Sequence, residues 1–380
     1  MASLIEGFAS YVPALTLRRQ ATDPAPVTSP QAERLAAAVL FADVSGFTAL
    51  TERLAARGPE GVEDLTHILN DYFGQVVDLI AVHGGDVVKF AGDALLVLWP
   101  AAVFDEDLAT ATRRAAQCGL ALQEQLGNYE ALPGVRFSQR VSVGAGEVVV
   151  MDVGGVFGRW ESLVTGEPIL QVGLAEKLAE PGEVLVAAAA AELLLDTVSG
   201  DVLPGGELRL RTVTAPIPPR SLERPHLSAE AERALLPYIP GAVRARLSAG
   251  QTHWLAELRQ LTVIFVSLPD LNAKTPLEEA QRMMRTLQTV VYRYEGSINK
   301  INVDDKGVMV LAAFGLPPLA HEDDPVRGVQ AALAMQAELR DLGWRSPIGV
   351  TTGRVFCGLI GSETRREYTV IGDTVNLSAR

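Results

Sequence analysis

The sequence predicts an α+β protein built twice in tandem, with its two halves paired head to tail around one working cleft. Three observations lead there. Short apolar runs of strand character alternate with segments of helical apolar spacing, in an order too mixed for a doubly wound parallel sheet. Four blocks of sequence recur in the same order at an offset of about 210 residues, the mark of a duplication. Where the two copies differ, each keeps residues that the other lacks.

Residues 1–33 read as an N-terminal segment, mildly amphipathic over 1–17 and polar and Pro-rich, hence loop, over 18–33. A first domain is expected over 34–200. It starts with a strand at 39–43, followed by a helix at 47–56 and a long helix at 61–82. The stretches 86–89 and 94–99 form the arms of a hairpin with Asp93 at its turn. An Ala-rich helix at 107–126 follows, then a strand at 139–145 whose second hairpin arm is 147–153. A helix at 172–179 and a strand at 184–187 complete the domain. Residues 201–256, rich in Pro around Thr214-Ala-Pro-Ile-Pro-Pro-Arg220, read as an interdomain linker. A second domain, 257–380, repeats the first.

The formal charge of −13 over 380 residues argues against a general nucleic-acid surface, which would be basic. Cys118 and Cys357 are too few and too far apart for a disulfide framework, which suits a reducing, cytoplasmic setting. Neither a run of 18 apolar residues nor a secretory leader is evident. The five histidines lack metal-ligand spacing and receive no role.

The chemistry sits where the copies diverge. Asp43 ends an apolar strand and is followed by the small residues Ser45 and Gly46 and a helix start, so a carboxylate lies beside free backbone amides. With Asp93 it makes a pair able to share metal ions on a nucleoside triphosphate. The second half has Ser267 at the first position and Asp304 at the second, so it keeps one carboxylate. It carries instead Asn376 and Arg380, spaced i and i+4 on one helical face, where the first half has Leu170 and Leu174. One half supplies metal ligands and the other a hydrogen-bond donor and a cation. Taken singly, Asp43 would be a helix cap, Lys89 and Lys300 solvated strand residues, and Asp304 and Asp305 turn residues.

The runs Phe41-Ala-Asp-Val-Ser-Gly-Phe-Thr, Lys89-Phe-Ala-Gly-Asp, Ile298-Asn-Lys and Glu367-Tyr-Thr-Val-Ile-Gly-Asp-Thr-Val-Asn-Leu-Ser-Ala-Arg together resemble the class III nucleotidyl cyclases. Together they look like the tandem catalytic domains of the soluble, bicarbonate-responsive adenylyl cyclases. That resemblance implies two ferredoxin-like cyclase domains in an intramolecular pseudo-heterodimer, acting as a monomer that converts ATP to cyclic AMP and pyrophosphate. It implies two divalent ions, Mg2+ with Mn2+ or Ca2+ as alternatives, held by Asp43, Asp93 and the carbonyl of Val44. The amides of Ser45, Gly46, Phe47 and Thr48 would cradle the phosphates. Lys300 and Thr369 would read adenine, and Asn376 and Arg380 would serve the transition state. Lys89 and Val164 match a regulatory anion pocket, but Gly173 stands where the bicarbonate-responsive relatives have an arginine, with Lys177 one turn later.

Two departures from this reading are also drawn from the sequence. The chain stops at Arg380 inside a helix with no stop signal, so a fragment of a longer protein is expected. The alternative function is a non-catalytic nucleotide-sensing module that regulates a further region. A diguanylate-cyclase reading of His83-Gly-Gly-Asp conflicts with the complementary losses of the two halves.

Overall fold

A computed structural model describes residues 4–46, 50–51, 53–54, 57–250, 256–304 and 306–380. Two antiparallel cores repeat one plan. In the first, β1 (Gln31–Ser45) lies between β3 (Ala94–Pro100) and β5 (Val135–Val156), with β2 (Asp86–Ala91) outside β3. In the second, β10 (Glu257–Leu268) lies between β12 (Gly307–Phe314) and β13 (Ile348–Gly361), with β11 (Ser297–Asp304) at the edge. β6 (Arg159–Gly166) pairs with the far end of β5 as β14 (Arg366–Ile371) pairs with the far end of β13. A short β4 (Tyr129–Leu132) pairs with the start of β5.

The strands form where the apolar runs predict them, because β-branched and aliphatic residues fill both faces. Leu40, Ala42 and Val44 are buried on one face of β1, and Ala37 and Val39 on the other. The helices Pro59–Val82 and Leu108–Leu126 cover the first sheet, and Leu277–Arg293 and Asp324–Asp341 cover the second. Asp107 caps the second of these, accepting from the Thr110 amide at 2.7 Å.

Several sequence expectations need correction. The stretch 139–153 is one continuous strand, not two hairpin arms; Gly144 and Gly146 pass close under Pro168 instead of turning. The expected linker starts late. Val198–Val202 (β8) and Leu208–Val213 (β9) extend the first sheet through β7 (Val184–Val186). The helix expected at 172–179 spans Glu167–Glu176. Asp304 lies in β11, paired with Gly307, rather than in the turn that Asp93 occupies. Both arms of the second hairpin are longer than those of the first. The helix expected at 47–56 and the turn residue Asp305 fall wholly or partly outside the described residues.

The two halves exchange their cores. Val149, Met151, Val153 and Leu163 of the first half pack among Met283, Met284 and Leu287 of the second. Phe356, Ile360 and Ile371 of the second half pack with Phe73 and Phe90 of the first. Polar groups seal one of these joints. Gln281 exchanges two hydrogen bonds with the backbone of Gly154, at 2.7 and 2.9 Å, and Gln288 accepts from the Val156 amide and donates to the Arg159 carbonyl.

The N-terminal segment contains the helices Leu4–Ala9 and Ala14–Thr22, so the loop expected over 18–33 is confined to 23–30, between the second helix and β1. Asp86, buried on β2, accepts the amides of Ala14 and Leu15 at 2.9 and 2.7 Å. The Ser10 carbonyl accepts the Arg366 amide of the other half at 2.8 Å. Arg19 pairs with buried Asp152, which Tyr238 also donates to. Asp86→Ala strands two buried amides and is expected to lower the unfolding free energy by about 3 kcal/mol. Urea denaturation measures this, and an unchanged midpoint would contradict the anchoring role.

Candidate active site at the interface of the two halves

The β1 strand carries its carboxylate, Asp43, two residues before its end at Ser45. Asp43 is part-buried, with Ala94 of β3 on one side and Arg140 of β5 on the other. Gly46 follows at φ +100°, and a Cβ there would stand 2.7 Å from the Arg136 carbonyl, so only glycine fits. Ser45 closes the strand beside it; Phe47 and Thr48 lie outside the described residues. Val44 points its side chain into the core. Asp93 reaches the same region from the tight turn Gly92-Asp93, where Gly92 takes φ +75°.

The two carboxylates feel each other. Burial and then the Asp43 charge push the Asp93 carboxyl up to about 6, against the pull of Lys300 and Arg140. Its folded pKa lies above the unfolded one. The stability it contributes is therefore full below about pH 4 and lost as pH rises through about 6. A divalent cation would relieve that repulsion. Among the described residues no group of three or more His, Cys, Asp or Glu could hold a metal, so two carboxylates are what this cleft offers. That donor set suits an ion such as Mg2+, which takes one or two carboxylates and completes its shell with phosphate and water.

Arg140 was not singled out by the sequence. Its Nη2 donates to Asp43 Oδ2 at 2.7 Å, and its Nη1 lies 3.1 Å from Glu176 Oε1. The signal that could have found it is register: in an antiparallel β1–β5 pair, Arg140 stands directly opposite Asp43.

The second half faces this pair with Lys300 and Thr369. Lys300 Nζ is 2.5 Å from Thr369 Oγ1, 3.3 Å from the Phe90 carbonyl of the first half and 3.8 Å from Glu367 Oε1. Both residues are buried. Burial carries the Lys300 ammonium down to about 8, partly offset by Glu367, and Lys89 lowers it further while Asp93 raises it. A lysine and a hydroxyl fixed side by side present a donor next to a group that can accept, which is an edge-recognition pattern. A cleft of about 330 Å3 brings Asp93 together with Gly372, Val375 and Asn376. Asn376 is thus placed near Asp93 by the helix Asp373–Ala379, whose N-cap Gly372 sits at φ +151°. Arg380 lies exposed at the end of that helix and does not line the cleft.

The pseudo-symmetric position is a separate cavity, lined among others by Lys89, Val164, Arg159, Glu161 and Glu367. Burial lowers the Lys89 pKa, Glu367 and Glu161 oppose that, and Arg159 and Arg365 add to it. Gly173 and Lys177 do not line it. On the helix Glu167–Glu176, Leu170 and Leu174 are exposed where the other half carries Asn376 and Arg380.

Removing the Asp43 charge removes a repulsion from Asp93. In metal-free Asp43→Asn, the Asp93 carboxyl is expected to titrate below about 6. Carbonyl-detected NMR titration checks this, and an unchanged or higher value would mean the two carboxylates do not interact.

The chain is similar to known proteins. The family described as adenylate and guanylate cyclase catalytic domain matches residues 30–212 and 255–380. Adenylate cyclase type 10 of Oryctolagus cuniculus is 29% identical over 382 residues, covering 90% of this chain and 23% of the relative. The Homo sapiens protein of the same name is 28% identical over 392 residues, with the same coverage. The chain therefore spans about a quarter of the length of these curated relatives, 23% by coverage. Among solved structures, a class III adenylyl cyclase-like ATP-binding protein from Pseudomonas aeruginosa matches with a TM-score of 0.60 at 13% identity. It covers 96% of this chain and 88% of its own.

Proposed function

The chain belongs to the adenylate and guanylate cyclase catalytic domain family, and on that premise we propose that it converts ATP to 3′,5′-cyclic AMP and pyrophosphate. The reaction takes place in the cleft between its halves that holds Asp93 and Asn376. The observation that carries this reading is the buried Lys300–Thr369 pair, at 2.5 Å, on the same interface as Asp93. Two divalent ions bound there would lower the pKa of the ribose 3′-hydroxyl and neutralise the leaving pyrophosphate.

Asp43 and Asp93 hold those ions, with the Val44 carbonyl as a further ligand. Arg140, now paired to Asp43, is placed to turn toward the triphosphate. Ser45 and Gly46, with Phe47 and Thr48, offer backbone amides to the phosphates. Lys300 donates to adenine N1 and the Thr369 hydroxyl accepts from the 6-amino group; guanine would set its own N1–H donor against the lysine. Asn376 orients the ribose, and Arg380, on a helix end with room to move, stabilises the charge that develops on the α-phosphate. This last pair distinguishes a cyclase from a module that only binds nucleotide, since binding does not need it.

None of the helices among the described residues is long and apolar enough to cross a membrane. We read the chain as a cytoplasmic, monomeric pseudo-dimer. Bicarbonate is a separate question for this chain: Gly173 stands where the bicarbonate-responsive relatives have an arginine, and Glu161 sets an anion near Lys89.

Turnover of ATP, with GTP as control, tests the reading. Asp43→Ala is expected to abolish cyclic AMP formation, and Asn376→Ala to lower kcat by about 10²-fold. Failure of either variant to reduce turnover would misplace the site. Lys300→Met is expected to raise the KM for ATP roughly tenfold and to narrow the ATP-over-GTP preference. A preference left intact would move base recognition elsewhere.

A further inference from the structure

β2 ends its sheet and β14 ends the other, and no strand pairing joins them. Something else must set how far one slides along the other. A β-bulge between Val87 and Lys89 interrupts the β2–β3 ladder. Arg365, at the approach to β14, answers the exposed backbone. Its Nε donates to the Val87 carbonyl at 2.8 Å and its Nη2 to the Val88 carbonyl at 3.3 Å. Its Nη1 donates to the Arg366 carbonyl at 2.7 Å, which ties the guanidinium back to its own strand. The guanidinium carbon stands 5.3 Å from the centre of the Phe90 ring, and the Phe90 carbonyl accepts from Lys300. Glu367 lies between the two cations, 3.7 Å from Arg365 and 3.8 Å from Lys300. Three successive stretches of one edge strand are thus held by donors from the other half. Farther along the same two elements come Asp93 and Thr369.

The other half has the same parts without the same contact. Arg159 precedes Glu161 as Arg365 precedes Glu367, and β11 carries a matching bulge between Ile298 and Lys300. Yet Arg159 turns away, donating to the Pro237 carbonyl at 3.1 Å and to Glu161 at 3.0 Å. At that second bulge Asn299 donates to the Tyr368 carbonyl at 3.4 Å. The planar fork grips the edge strand only on the side that bears Asp93. A lysine in its place would keep the charge but lose the geometry that spans two carbonyls.

We propose that Arg365 is a positioning residue that sets the register of the Asp93 hairpin against the strand carrying Thr369, and so aligns metal-binding and base-reading groups for cyclisation. The inference rests on the cyclase reading given above. The base-reading residues lie in the second half and the phosphate-binding groups in the first, so each half keeps its own contacts to the nucleotide while a loosened register spoils their mutual alignment for the chemical step.

Two measurements test it. In Arg365→Lys, kcat is expected to fall at least about tenfold with the KM for ATP within about threefold, whereas Arg159→Lys keeps kcat within about twofold. A kcat near that of the wild type in Arg365→Lys, or an equal loss in Arg159→Lys, overturns the proposal. If the lysine variant does not fold, Arg365→Ala is assayed with added guanidinium, which is expected to restore part of kcat; no restoration overturns it. A wild type that makes no cyclic nucleotide overturns the cyclase reading instead. The register is then read from spin labels at Val82 and Glu363, one exposed site on each half. Their distance distribution is expected to broaden in Arg365→Lys, and an unchanged distribution overturns the register role.

Discussion

Each half of the chain carries a central strand longer than its own helices can cover. β5 and β13 both run past the edge of their own layer, and burying the overhang requires the helix of the opposite half. Met151 and Val153 depend on Met283 and Leu287; Phe356 and Ile360 depend on Phe73. Apolar area on this scale contributes on the order of 25 cal/mol per Å2, so leaving either overhang in water would cost more than a marginal fold can spare. The pairing of the halves is therefore a condition of the fold, and the cleft between them follows from it.

That geometry also gathers positive charge locally in a chain of charge −13. The interface collects cations from separate elements: Arg140 from β5, Lys300 from β11 and Arg365 before β14. Their carboxylate partners are nearby, and burial makes each charge depend on its neighbours. The Asp93 and Lys300 pKa values both move toward neutrality for that reason, to about 6 and about 8. A triphosphate with its metal ions would enter a field already set by these pairs.

Much of the fold was legible because its strands are dense in Val, Ile, Leu and Ala and its helices keep an apolar period. The duplication could be read from the same blocks, and the Lys300–Thr369 pair is brought together as the resemblance implied. What escaped had physical reasons. Gly144 and Gly146 read as a turn, though here glycine serves the close passage of Pro168 over an extended strand. The strands β8 and β9 are short, polar at the edge and interrupted by glycines, so composition placed them in a linker. Asp304 matches Asp93 in its distance from the preceding lysine, but hairpin arm length, not sequence spacing, decides which residue reaches the tip. Arg140 and Arg365 act through partners far off in sequence, opposite Asp43 and against the Val87 and Val88 carbonyls. No local pattern announces them.

The exchange of overhanging strands has a consequence for how the chain is made. The apolar surface that Phe73 and Phe90 present can be closed only by residues near Phe356 and Ile371, which emerge from the ribosome long after the first sheet is complete. At typical synthesis rates that wait is on the order of ten seconds, far longer than strands and helices need to form. During it the first half is a sticky, half-covered body whose best partner has yet to be translated. A neighbouring copy on the same messenger would offer a rival second half, so the linker between the halves also serves to keep the right partner at high local concentration.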